Sequence, residues 1–153
     1  MTVGLRRLDN VGVVVEDLDR AVAFFLELGL TLEARTVVDG DWAARVVGLP
    51  GQVVEIAMLR TPVGGGLELM RFERPAAVPV APQAAPPNAL GLRRVMFAVD
   101  DVDDTVRRLE AHGGALMGEI VNFGDAYRLC YLRGPEGLIV ALAQELRPNV
   151  TAP

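Results

Sequence analysis

The hydrophobic and polar positions of this chain run through the same series of changes twice. Residues 8–15 alternate weakly and are rich in valine, as a buried strand should be. Asp17 then offers a helix cap, and Leu18, Val22, Phe25 and Leu26 recur at helical spacing up to Gly29, a fitting C-terminal stop. That apolar stripe predicts a helix packed on a sheet. Residues 30–38 predict the next strand, and a short helix is expected over 42–47, between Asp39-Gly40 and Pro50-Gly51. Residues 52–60 and 66–72 then predict two antiparallel strands joined by a glycine-rich turn. The second series predicts a strand at 92–99, a helix at 102–112, and strands near 115–122, 126–133 and 138–145. Each half therefore reads β-α-β-β-β.

The two series are copies. A shift of 84 carries residues 8–29 onto 92–113 and matches Val11, Val15, Asp17, Asp19, Val22 and Gly29 with Val95, Val99, Asp101, Asp103, Val106 and Gly113. A shift of 73 aligns the later parts, matching Leu59, Arg60, Pro62, Gly64 and Leu69 with Leu132, Arg133, Pro135, Gly137 and Leu142. The drop from one shift to the other predicts a shorter middle loop in the second half.

These repeats set the expected organisation: a first module over 1–74, a second over 91–146, and a tail from 147, together forming one structural domain. Between the modules, residues 75–90 carry prolines too closely spaced for helix or central strand, and predict an extended, polyproline-like linker. Asp101 with Asp104 resembles a capping box with a short third-position acid. His112, the single histidine, falls at the end of the second helix, where a structural role suits it. One histidine cannot build a multi-histidine metal site.

Composition narrows the function. Hydrophobic residues make up 51% of the 153, enough for a sizeable core, but no apolar run approaches the ~20 residues that span a bilayer. The first ten residues lack the apolar centre of a signal peptide, and the lone Cys130 can close no internal disulfide, so a cytoplasmic location is expected. A net charge of −5, with arginines scattered in pairs, argues against nucleic acid or an anionic membrane as partner. A small molecule is the expected partner.

Paired βαβββ modules with Asp-Leu-Asp at the helix start and a Pro-x-Gly turn before the last strand resemble the vicinal oxygen chelate superfamily. That group includes glyoxalases, bleomycin-resistance proteins, methylmalonyl-CoA epimerases and extradiol dioxygenases. The resemblance implies an α+β, glyoxalase-like fold in which two modules form an incomplete β-barrel around a cavity, and it implies a homodimer. It also implies metal ligands on the first and last strand of each module. The repeat alignment puts those four positions at Asn10, Glu68, Arg94 and Ala141, so Glu68 alone remains a standard ligand. An arginine stays protonated and has no acceptor, so it cannot ligate.

The expectation is therefore a degenerate metal site and no cofactor. Arg94 would supply the missing positive charge, Glu68 would serve as general base, and Asn10 would orient a carbonyl oxygen. Side-chain parity adds Met58, Met96 and Tyr131 as ligand-binding positions, with Trp42 as a lid; a one-residue slip of register would present Glu55 and Arg128 instead. The implied function is binding or conversion, of lyase, isomerase or cyclase type, of a small apolar or aromatic compound bearing an acidic or carbonyl group. The alternatives are a divalent-metal enzyme of glyoxalase or dioxygenase type, with Glu68 and Asn10 as its ligands, and a non-catalytic drug-binding resistance protein. A scaffold with a vestigial pocket is a further reading.

Overall fold

The computed structural model describes residues 4–147. Residues 1–3 and the expected tail beyond Arg147 lie outside the described residues. The chain divides into two compact units, Met1–Pro79 and Val80–Pro153, with the boundary inside the proline-rich stretch.

The first unit contains β1 (Val11–Val14), α1 (Leu18–Leu28), β2 (Thr31–Val38), α2 (Asp41–Val47), β3 (Val53–Arg60) and β4 (Gly66–Arg74). Its sheet runs β1-β4-β3-β2, with β1 parallel to β4 and the other pairs antiparallel. The second unit contains β5 (Arg94–Ala98), α3 (Val102–Glu110), β6 (Ala115–Leu116), β7 (Val121–Phe123), β8 (Tyr127–Arg133), a single 3-10 turn (Pro135–Gly137) and β9 (Ile139–Glu145). Its order, β5-β9-β8-β6 with β7 also on β8, repeats the first topology. Both sheets are open. The fold is α+β, and the repeat predicted it.

The helices form where capping and apolar spacing coincide. Asp17 and Asp101 each accept a hydrogen bond from the backbone N–H three residues on, Arg20 and Asp104, at 3.0 Å. Gly29 ends α1 at a φ of 122°, and its N–H donates to Phe25 and Leu26 carbonyls. α1 buries Leu18, Ala21, Val22, Phe24, Phe25 and Leu28 against the sheet, at roughly 1.5–3 kcal/mol for each large side chain. Leu26, expected in that stripe, is instead 43% exposed, because Phe24 and Leu28 complete the buried face. Under the sheets the same row is apolar in both units: Ala57, Leu59, Leu67 and Leu69 in one, Cys130, Leu132, Val140 and Leu142 in the other. Burial pushes the Cys130 thiol up to about 11.

Two expectations are corrected. The strand expected near 115–122 is broken into β6 and β7, because the pairing with β8 shifts by two residues around Gly118. The capping box is half formed: Asp104 turns its carboxylate to Arg107 and Arg108, which outcompete the Asp101 N–H. In the linker the Arg74–Pro75 and Ala81–Pro82 bonds are cis. Its second part is fastened to the second unit, where Arg133 donates to the Ala85 carbonyl and Gln83 donates to Glu136. The shorter middle loop is present: α2 in the first unit has no helical counterpart between β7 and β8.

Candidate functional site

The face of each sheet opposite its helix can be read as a grid, because register places three strands side by side. In the first unit the central row is Met58, Glu68 and Gly12, on β3, β4 and β1. The rows on either side are Arg60 and Gly66, leading to Asn10, and Ile56, Met70 and Val14. Side-chain alternation fixes this face, since Leu67 and Leu69 on the other parity are buried under α1. Register thus brings Met58 beside Glu68, with Asn10 a diagonal neighbour. Glu55, the residue a slip would have presented, lies on the helix side, where Arg35 ties it to Asp19 at the start of α1.

Glycine keeps this part of the face open. Gly12 stands where a side chain would flank Glu68, and a Cβ there would approach the Met70 methyl to 3.0 Å. A Cβ on Gly66 would lie 2.0 Å from the Leu59 carbonyl oxygen, so the start of β4 admits only glycine. Arg60 reaches from β3 towards β1, donating to the Asp9 carbonyl at 3.4 Å and pairing with Glu33 at 2.6 Å. Glu33 is the extra residue where the β2 register shifts, and its hydrogen bond raises the Arg60 guanidinium above its ordinary range. Trp42 on α2 is 63% exposed. A Cβ on Gly40 would meet its ring at 2.7 Å, so the indole folds back over its own helix start.

The second unit's grid differs. Its central row is Tyr131, Ala141 and Met96, on β8, β9 and β5; the next is Arg133, Ile139 and Arg94. The Arg94 guanidinium carbon lies 5.4 Å from the centre of the Tyr131 ring. β5 and β8 are both neighbours of β9, about 9.6 Å apart at the usual strand spacing, so the two side chains meet above β9. Ala141 and Ile139, beneath them, are 0% and 1% exposed. An alanine at 141 leaves room for the guanidinium to stand over the ring in a cation–π contact. Met96 remains 48% exposed beside it. Arg128 lies on the helix side, bidentate to Asp103, and lowers that carboxyl below its usual range.

Comparison with known proteins agrees with this architecture. The family model for the glyoxalase/bleomycin resistance protein/dioxygenase superfamily matches residues 7–142. The chain belongs to this superfamily. A glyoxalase family protein from Bacillus cereus is 50% identical, with a TM-score of 0.89 over 96% of this chain and all of that one. The uncharacterised Escherichia coli protein YaeR is 30% identical over 149 residues, 93% of this chain and 98% of its own. Glyoxalase I from Zea mays, at 18% identity and a TM-score of 0.65 over 89% of this chain and 45% of that one, shares the fold alone.

The superfamily's metal positions can be tested against this chain's chemistry. In the first unit Asn10 offers a neutral amide oxygen near Glu68; in the second, Arg94 offers a fixed cation and Ala141 no donor at all. Among the described residues no three His, Cys, Asp or Glu side chains group closely enough to hold an ion. A catalytic zinc or iron needs about three N, O or S ligands, so this donor set does not fit one.

Sequence reasoning missed two features. Arg60 and Arg133 were visible as a matched pair in the repeat, but their reach to the Asp9 and Ala85 carbonyls was not. Gln52 carried no signal, yet it is 3% exposed and its side-chain oxygen is buried without a hydrogen-bond partner.

Proposed function

We propose that this superfamily member binds or converts a small apolar or aromatic compound bearing an acidic or carbonyl group, without a metal. Arg94 supplies the positive charge and holds the acidic group by charge-assisted hydrogen bonds. Tyr131 and Met96 offer the apolar contact beside it. In the first unit Glu68, with Asn10 as a diagonal neighbour, is placed to act as a base toward a carbonyl compound held on that unit's own sheet face. Met58 lies beside Glu68, and Trp42 stands exposed on α2 of the same unit.

One observation supports this reading: the Arg94 guanidinium carbon stands over the Tyr131 ring, 5.4 Å from its centre. A cation–π contact engages the guanidinium through its charge and leaves N–H donors to meet an anion. A carboxylate met by a prepositioned guanidinium loses little of its binding energy to ordering the site.

The test is calorimetric titration of benzoate, phenylacetate and phenolate analogues into chelator-treated protein. Arg94→Met should weaken binding of the acids at least about tenfold, the 1.4 kcal/mol or more expected of a lost charge-assisted bond. Glu68→Gln should leave affinity within about twofold and abolish any turnover, separating an enzyme from a sequestering protein. Equal affinity in wild type and Arg94→Met would refute the role of Arg94.

A further inference from the structure

We infer that the acid bound on the second unit's sheet is elongated: an amphipathic carboxylate whose head meets Arg94 and whose apolar chain runs along β8 to the β7–β8 hairpin. The inference rests on the proposed function and narrows its acid to one class. A solvated sheet face is ordinarily polar. On the face of β8 opposite the buried Cys130 and Leu132 stand Tyr127, Leu129 and Tyr131. Register adds Val121 beside Leu129 and Phe123 beside Tyr127, while Ala143 and Ala141 lie on the β9 side. Met96, Val121 and Phe123 on this face are 48%, 51% and 70% exposed. An apolar row of this kind on one face marks a surface that something covers.

The charges of this face say what covers it. Arg94 and Arg133 flank Ile139 in the row at one end. Arg133 donates to the Gly137 and Ala85 carbonyls. Arg94 stands over Tyr131 and has no ion-pair partner among the described residues. Glu145 lies at the other end, beside Tyr127. A carboxylate is therefore drawn to Arg94 and repelled from the hairpin, which fixes the direction of the bound acid. Between the two ends the side chains are apolar, and Ala141 and Ala143 let a chain approach β9 closely. Tyr127 and Phe123 lie four residues along β8 from Tyr131, about 13 Å at the usual strand rise and about the length of an extended ten-carbon chain.

The experiment titrates hexanoate, octanoate and decanoate, with benzoate as the short aromatic acid, into wild type and into Phe123→Ser. Affinity should rise with chain length, and decanoate should bind wild type at least about tenfold more tightly than hexanoate. Phe123→Ser should weaken decanoate at least about threefold and leave hexanoate, which is too short to reach the hairpin, within about twofold. Equal affinity for hexanoate and decanoate in wild type would overturn the inference, leave the proposed function standing and point to a second copy of the chain as the cover of this face. A gain with chain length that survives both in Phe123→Ser and in Val121→Thr would also overturn it, by placing the chain elsewhere. If none of the four acids binds wild type, the proposed function itself fails and this inference with it. The wild-type series needs no variant, so a poorly folded Phe123→Ser does not remove the test.

Discussion

Arg94 and Ala141 act together, although only one carries a charge. The guanidinium can lie on Tyr131 because the residue on the strand between them ends at Cβ. Ala141→Glu would put a carboxylate beneath this cation, and the new ion pair would neutralise Arg94. Acid binding should then fall at least about tenfold, and crowding at a fully buried position should cost about 1–3 kcal/mol of stability. Calorimetry and a denaturant titration would measure the two effects. Unchanged acid affinity would mean that Arg94 does not need an uncontested charge. In the first unit, Gly12 serves Glu68 in a related way, by leaving the neighbouring position empty.

At the scale of elements, the repeat preserves the tie between helix and sheet while changing its partners. Asp19 opens α1 and pairs with Arg35 on β2; its copy Asp103 opens α3 and pairs with Arg128 on β8. The Arg128 guanidinium holds the Asp103 carboxyl below its ordinary value in the folded chain. A carboxylate with a depressed folded pKa contributes stability above its unfolded pKa, about 4, and loses it as pH falls through the lower folded value. The melting temperature should therefore drop as pH falls below about 4, and Asp103→Asn should flatten that part of the profile. Both residues are solvent-accessible, so the slope rather than a large stability change is the readout. An unaltered slope in Asp103→Asn would show that other carboxylates govern acid unfolding.

Across the whole molecule, the fold was legible because duplication states each element twice. The helix caps and the succession of elements follow from the two alignments, while the register that pairs Met58 with Glu68 and Tyr131 with Ala141 is the one of two that side-chain parity left open. What stayed hidden depends on contacts between distant residues. The break around Gly118 is a pairing irregularity, the exposure of Leu26 reflects which face the sheet covers, and no local pattern marks Gln52 as buried. The candidate site was legible as positions on strands, but the placement of Arg94 over Tyr131 required coordinates, since side-chain parity gives a face and not a rotamer.

The proposed function puts the Arg94 guanidinium charge in place of a metal ion. Elemental analysis of untagged protein, before and after incubation with Mg²⁺, Mn²⁺, Fe²⁺, Ni²⁺ and Zn²⁺, tests it most directly. The prediction is far less than one ion per chain under every condition. Near-stoichiometric retention of any one ion would contradict it and make Glu68 and Asn10 ligands of a rebuilt metal centre.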